Sequence, residues 1–280
     1  MMSLLHKPDG RGVYVYDMLD APWTETGKPG VRQRAVRADR ESGHFLGLIQ
    51  FDPMISAGVH QHLGPATSLM LGGSLADYQD NYGRDTVTIN PTGTTHDAIS
   101  WEGCFFVARL EGATAYLPDS GGGKGHVGAG IATFTNPAPE VLPALDFPLR
   151  ESRQYATSIP RLSRRMLFDY RIEKEDHRFV ELTLWPDMRI PTHRVSALTE
   201  WMVLAGSATV NNMTVPIGGI VVIEPGTEVT IESAFGCRLL AWADGPILWS
   251  GARRFPTSTA SDQTVTRRRR PPRRRRRSGA

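Results

Sequence analysis

The chain has 280 residues, enough for two domains of about 100–150 residues each. Hydrophobic residues make up 40% and charged residues 22%, the balance of a globular chain and not of a disordered or fibrous one. No stretch approaches the roughly 20 apolar residues that cross a bilayer, MMSLLHKPDGRG lacks the apolar centre of a signal peptide, and two cysteines make no disulfide framework. The expected location is the cytoplasm. The formal charge of +3 misleads, because Arg267–Arg270 and Arg273–Arg277 carry nine positive charges. Without those nine the chain stands at −6, so the basic character belongs to one tail.

Residues 1–30 read as an irregular N-terminal arm, interrupted by Pro8, Pro22 and Pro29. Residues 31–120 read as a first β domain. HFLGLIQFDP, TSLMLGGS, DTVTINPTG and CFFVARLEG are short apolar runs, each beside turn residues. Residues 121–147 read as loop and linker: DSGGGKGHVGAG, which begins at Asp119, and NPAPEVLPALDF. Residues 148–256 read as a second β domain, with RMLFDYRI, RFVELTLWP, TEWMVLAGSATV, GGIVVIEPG, EVTIES and CRLLAWAD. Residues 257–280 have no apolar surface to bury and read as a disordered arginine-rich tail. Contact with nucleic acid is expected only through this tail, by release of counterions.

The two β domains repeat at an offset of 133 residues. His60 and His193, Gly73 and Gly206, and Gly103–Cys104 and Gly236–Cys237 are paired by it. INP at 89–91 and IEP at 223–225 match one residue out of step. A fixed offset points to an internal duplication.

His60 and His62 stand two apart, so on a strand they share one face. His96 follows 34 residues after His62, behind the turn Pro91-Thr92-Gly93. If that face lines a barrel, three imidazoles enter one cavity. Imidazole suits zinc, copper, iron and nickel, and three ligands leave a coordination position open, as catalytic sites do. In the second domain His62 becomes Val195 and His96 becomes Val229 or Thr230. His193 and Glu200 alone make a poor site, and a hydrogen bond between them is the expected alternative. Asp97 and Glu102 lie near His96 in sequence, but no catalytic acid or base is assigned.

His60-x-His62 with Gly73, then Pro91-x-Gly93-x-x-His96-x-x-x-Ser100, resemble the two motifs of the cupin superfamily. The resemblance covers about residues 35–115 clearly and 165–250 weakly. NPTGTTHDAISWEGCFFVARL resembles the cupin domain of ChrR-type anti-sigma factors and the acetylacetone-dioxygenase-like cupins. The resemblance implies an all-β fold of two jelly-roll barrels in tandem, with one divalent metal ion on His60, His62 and His96. The motif's Glu falls on Ala66 or Thr67, so the site resembles the three-histidine dioxygenase branch more than zinc-sensing ChrR, which keeps the Glu. Iron(II) is favoured by this resemblance, with zinc, manganese or nickel as alternatives. The implied reaction is oxygen-dependent carbon–carbon cleavage of a small diketone or hydroxyketone; a lyase or isomerase reaction is the alternative with another ion. The contrasting expectation is a metal- or ligand-binding regulatory cupin without catalysis. The expected partners are a small-molecule substrate and a second copy of the chain in a homodimer, with no membrane. Cys104 and Cys237 read as buried core thiols. His6, His44, His126 and His177 belong to no motif.

Overall fold

A computed structural model describes residues 12–117, 136–168 and 178–249, with the backbone of 125–126 and 169. The arginine tail, His6 and His177 lie outside the described residues. The expected strands form: His44–Phe51, Ala66–Gly73, Thr86–Asn90 and Cys104–Glu111 in the first half, and Leu162–Asp169, Arg178–Leu184, Thr199–Gly206, Gly219–Ile223, Glu228–Ser233 and Cys237–Ala243 in the second. The chain is all-β in two jelly-roll barrels. No helix among the described residues is long and apolar enough to cross a membrane.

Each barrel is a seven-stranded sheet faced by a smaller one. The histidine strands, Ile55–His62 and Thr95–Ser100, pair in the smaller sheet of the first barrel. Their counterparts Met188–Val195 and Glu228–Ser233 pair in the smaller sheet of the second. The large sheets are completed reciprocally. Val13–Asp17, from the supposed irregular arm, pairs antiparallel with Gly219–Ile223 of the second barrel. Leu145–Pro148, at the end of the supposed linker, pairs antiparallel with Thr86–Asn90 of the first. The alternation Val-Tyr-Val-Tyr over 13–16 was the available signal for the first of these strands. Within the glycine-rich stretch, Gly125–His126 pairs with Ser56 and Ile55.

The duplication holds in the hydrogen-bond register without a gap. His60 faces His96 as His193 faces Val229, and Ala66 faces Asn90 as Thr199 faces Ile223. The one-residue slip between INP and IEP is a sequence coincidence: in the register Ile223 takes the place of Asn90 and Glu224 that of Pro91. The turn glycines Gly93 and Gly226, at φ 93° and 81°, keep the 133-residue offset. Gly73 and Gly206 face Cys104 and Cys237 at φ 67° and 73°. A Cβ on Gly206 would lie 2.1 Å from the Gly236 carbonyl oxygen.

The large sheets are buried on both faces, which is why CFFVARL and CRLLAWA are nearly continuous apolar runs and do not alternate with polar residues. Phe106 and Ala108 turn into the first barrel. Val107 instead joins Leu46, Leu69, Phe179, Met202, Leu240 and Trp242 in a layer shared by both halves. In that layer Phe179 stacks on Trp242 at 5.2 Å, and Trp242 Nε1 donates to Thr67 Oγ1 at 2.9 Å. Glu200 also faces this layer. It accepts from Arg37 Nε at 3.1 Å and Arg109 Nε at 2.7 Å, and Arg109 Nη2 reaches Asp244 at 2.6 Å. The expected His193–Glu200 hydrogen bond is therefore absent. Adjacent residues on a strand point to opposite faces, so Glu200 cannot share the barrel interior with Trp201.

Two consequences can be measured by urea denaturation. Gly206→Ala forces an L residue into the left-handed region against a backbone oxygen and lowers stability by about 1–3 kcal/mol. Glu200→Ala leaves two guanidinium groups buried without their shared counter-charge and costs about 3–5 kcal/mol.

Candidate metal centre

A bulge at Ala57–Gly58 sets the histidines. Asp97 faces Val59 while Ile99 faces Ser56, so the His60 strand carries one extra residue. This places Ala57, His60 and His62 on the inner face. The bulge carbonyl of Gly58 accepts from His60 Nδ1 at 2.7 Å, which leaves Nε2 bare. The second barrel repeats the device: His193 Nδ1 donates to the Pro191 carbonyl at 2.8 Å.

His60, His62 and His96 converge as expected. Each is 6% exposed, and one ligand atom from each lies within 4.8 Å of the others. Among the described residues this is the group of such side chains that could hold an ion. His62 Nε2 and His96 Nε2 are 3.2 Å apart. Two nitrogens bound about 2.0–2.1 Å from one ion at a tetrahedral angle are about 3.3 Å apart, so the spacing fits a shared divalent cation. On the outer side His96 Nδ1 donates to Asp77 Oδ2 at 3.0 Å. Asp77 also accepts from Tyr82 Oη at 2.6 Å and the Gln79 N–H at 2.7 Å. A carboxylate behind a ligating imidazole fixes its tautomer and ring orientation.

The environment favours the neutral form of His60 and His62. Burial first, then the neighbouring imidazoles His96 and His62, holds His60 well below the usual histidine range. Burial and His96 push His62 down to about 3. For Asp77, burial alone would raise the carboxyl, but the hydrogen bonds from His96, Tyr82 and the Gln79 N–H outweigh it and lower it. Imidazoles that resist protonation are the form a metal needs.

The cluster opens on a cavity of about 280 Å³, a volume suited to a small ligand. Phe45, Phe51 and Phe106 form apolar walls, and Ser68, Thr88 and Asn90 add polar groups. Asn90 Oδ1 is buried without a partner. The position of the missing Glu is Ala66, which shares its face with Met70 in the barrel core, whereas Thr67 turns to Trp242. At the 133-residue offset the second barrel replaces Ser68, Asn90, His62 and His96 by Trp201, Ile223, Val195 and Val229. All four are buried in its core, so that interior is filled where the first is hollow.

Sequence reasoning missed Asp77, Tyr82 and Asn90, which belong to no motif; only folding brings them to the histidines. Asp97 turns away: its Oδ1 accepts from Ser56 Oγ at 2.7 Å and the Gly58 N–H at 3.0 Å. Glu102 is exposed. Met54, Trp101 and Phe105, apolar residues that flank the histidine motifs, are 45%, 39% and 41% exposed. Cys104 and Cys237 are buried, and burial raises both thiols, Cys104 to about 11.

The fold and the site together define the class: two jelly-roll barrels in tandem, the first of them hollow around three histidines. Residues 11–113 match the sequence model of the ChrR cupin-like domain, and the fold of the chain resembles those of two solved structures. A crystal structure from Nostoc punctiforme, described as a candidate dioxygenase, is similar at 11% identity with a TM-score of 0.66, covering 87% of this chain and 88% of that one. A deletion mutant of Bacillus subtilis oxalate decarboxylase is similar at 12% identity with a TM-score of 0.57, covering 82% and 76%. No protein of curated function matches the sequence.

The depressed histidines set a pH dependence. Their folded pKa lies below the unfolded value of about 6.5. Between the two values the unfolded chain binds protons that the folded chain refuses, so stability falls with acid. The metal-free protein loses stability as pH drops through about 6.5, and for His62 the loss continues to about 3. Urea midpoints taken across this range should fall toward acid, with a shallower slope in His62→Gln.

Proposed function

We propose that this protein is a metal-dependent cupin enzyme that cleaves a small diketone or hydroxyketone by dioxygenase-type chemistry, with one divalent ion, iron(II) favoured, on His60, His62 and His96. The observation that carries the reading is the convergence of three buried imidazoles at the wall of a mostly apolar cavity. When bound, the ion supplies Lewis-acid polarisation of a substrate oxygen and, if redox-active, access to oxygen chemistry. No carboxylate ligand offsets its charge, so the polarisation is stronger than in a site with an acid.

The chain's own residues hold and shape. Gly58 and Asp77 orient His60 and His96 through their Nδ1 atoms. The phenylalanine walls exclude water, which strengthens every electrostatic interaction inside. Asn90 Oδ1 offers an acceptor to a substrate hydroxyl. Asp77 is committed to three donors and is a positioning group, not a base. The likeness of the fold to the candidate dioxygenase supports this reading.

The match of residues 11–113 to the ChrR cupin-like domain favours a second reading, a metal- or ligand-binding regulatory cupin without turnover. Oxygen uptake separates the two. The first reading expects uptake with a diketone by the iron-loaded protein; the second expects binding alone.

Elemental analysis of untagged protein should find about one divalent ion per chain, and near zero in His60→Ala and His96→Ala. Asp77→Asn should keep the ligands but weaken metal affinity about 10–100-fold. Failure of the wild-type protein to take up metal after reconstitution would sink the proposal.

A further inference from the structure

Besides the histidines, the cavity is lined, among the described residues, by one carboxylate and one cation. The carboxylate, Asp77, is taken up by His96, Tyr82 and Gln79. The cation is Lys28, from the turn that precedes the strand Val31–Ala38. Its Nζ lies 3.4 Å from the centroid of the Tyr116 ring and 3.4 Å from the Ala57 carbonyl oxygen. The Tyr116 ring in turn lies 5.3 Å from the His60 ring. The ammonium is thus one aromatic ring away from the cluster. Neither of these contacts is a carboxylate.

A half-buried ammonium resting on a ring face and a neutral carbonyl is short of counter-charge. Burial pushes Lys28 down to about 8, against a weaker opposing pull from Asp97, so the group stays charged near neutral pH while poorly solvated. With a divalent ion on the histidines, three formal positive charges would stand against two carboxylates, Asp77 at the cavity wall and Asp97, which faces away from it. The complement to such a pocket is an anion with an apolar remainder.

We infer that Lys28 determines substrate specificity by binding a carboxylate, so that the substrate class is a small keto acid and not a neutral diketone. This rests on the metal-dependent reading above. The chelating oxygens face His60, His62 and His96, the carboxylate faces Lys28, and the apolar part lies against Phe45 and Phe106. Tyr116 spaces the lysine from the histidines, and its ring holds the ammonium in place.

The test uses zinc-loaded protein near pH 7, so that binding is read without turnover. Acetylpyruvate, a diketone that carries a carboxylate, is compared by calorimetry with its methyl ester. The metal content of the same preparation is measured first. The acid is expected to bind about tenfold tighter than the ester or better. Lys28→Met should bring that ratio close to one, and Lys28→Arg should keep most of it. A fully loaded protein that binds acid and ester equally overturns the lysine inference alone, and one that binds neither overturns the diketone reading with it. Retention of the full ratio in Lys28→Met also overturns the lysine inference alone. A preparation that takes no zinc overturns the metal reading, and this inference with it.

Discussion

Each barrel is finished by a strand from the opposite repeat, and the rest of the structure depends on that exchange. An open sheet edge exposes unpaired backbone groups, and a hollow barrel with a leaking wall could not keep imidazoles dry. Leu145–Pro148 closes the edge at Thr86–Asn90, the strand that carries Thr88 and Asn90 into the cavity. The same strand reaches the histidines through polar contacts. Asp146 Oδ2 accepts from Gln79 Nε2 at 3.0 Å, the Gln79 N–H binds Asp77, and Asp77 holds His96. Burial first, and Asp77 second, raise Asp146 to about 6. A segment that reads as linker therefore belongs to the support of the candidate site.

The second barrel shows what the first gives up. The two share register, turn glycines and the bulge carbonyl behind the first histidine. They differ in what fills the middle. Trp201, Val195, Val229 and Ile223 are buried in the apolar core of one barrel. Ser68, His62, His96 and Asn90 at the same offset leave the other with a cavity and an unpartnered amide oxygen. Buried polar groups and voids are destabilising by themselves, and such departures from good packing gather at functional sites. The filled barrel, through the shared apolar layer and the Arg37–Glu200–Arg109 cluster, braces the hollow one.

The electrostatics of the hollow barrel follow from burial. It favours the neutral form of His60 and His62 and leaves Lys28 poorly solvated. Both effects have one cause, the loss of hydration for charged groups. A cation among the imidazoles and an anion at the lysine would each restore what burial removes.

From the sequence alone one can read the strand runs, the duplication, and the His60-x-His62 and Pro91-x-Gly93-x-x-His96 patterns, because period-two alternation and turn glycines are local properties. Among the strands that escaped that reading are Val13–Asp17 and Leu145–Pro148, whose partners lie more than 200 and about 60 residues away along the chain. Composition gave no warning that Glu200 would leave His193 for two arginines of the other repeat. Which face a strand residue takes depends on a bulge and a register that only the paired sheet sets. Asp77, Asn90 and Lys28 carry no motif, and their place beside the histidines was decided by tertiary structure, through strand pairing that brings distant segments around one cavity.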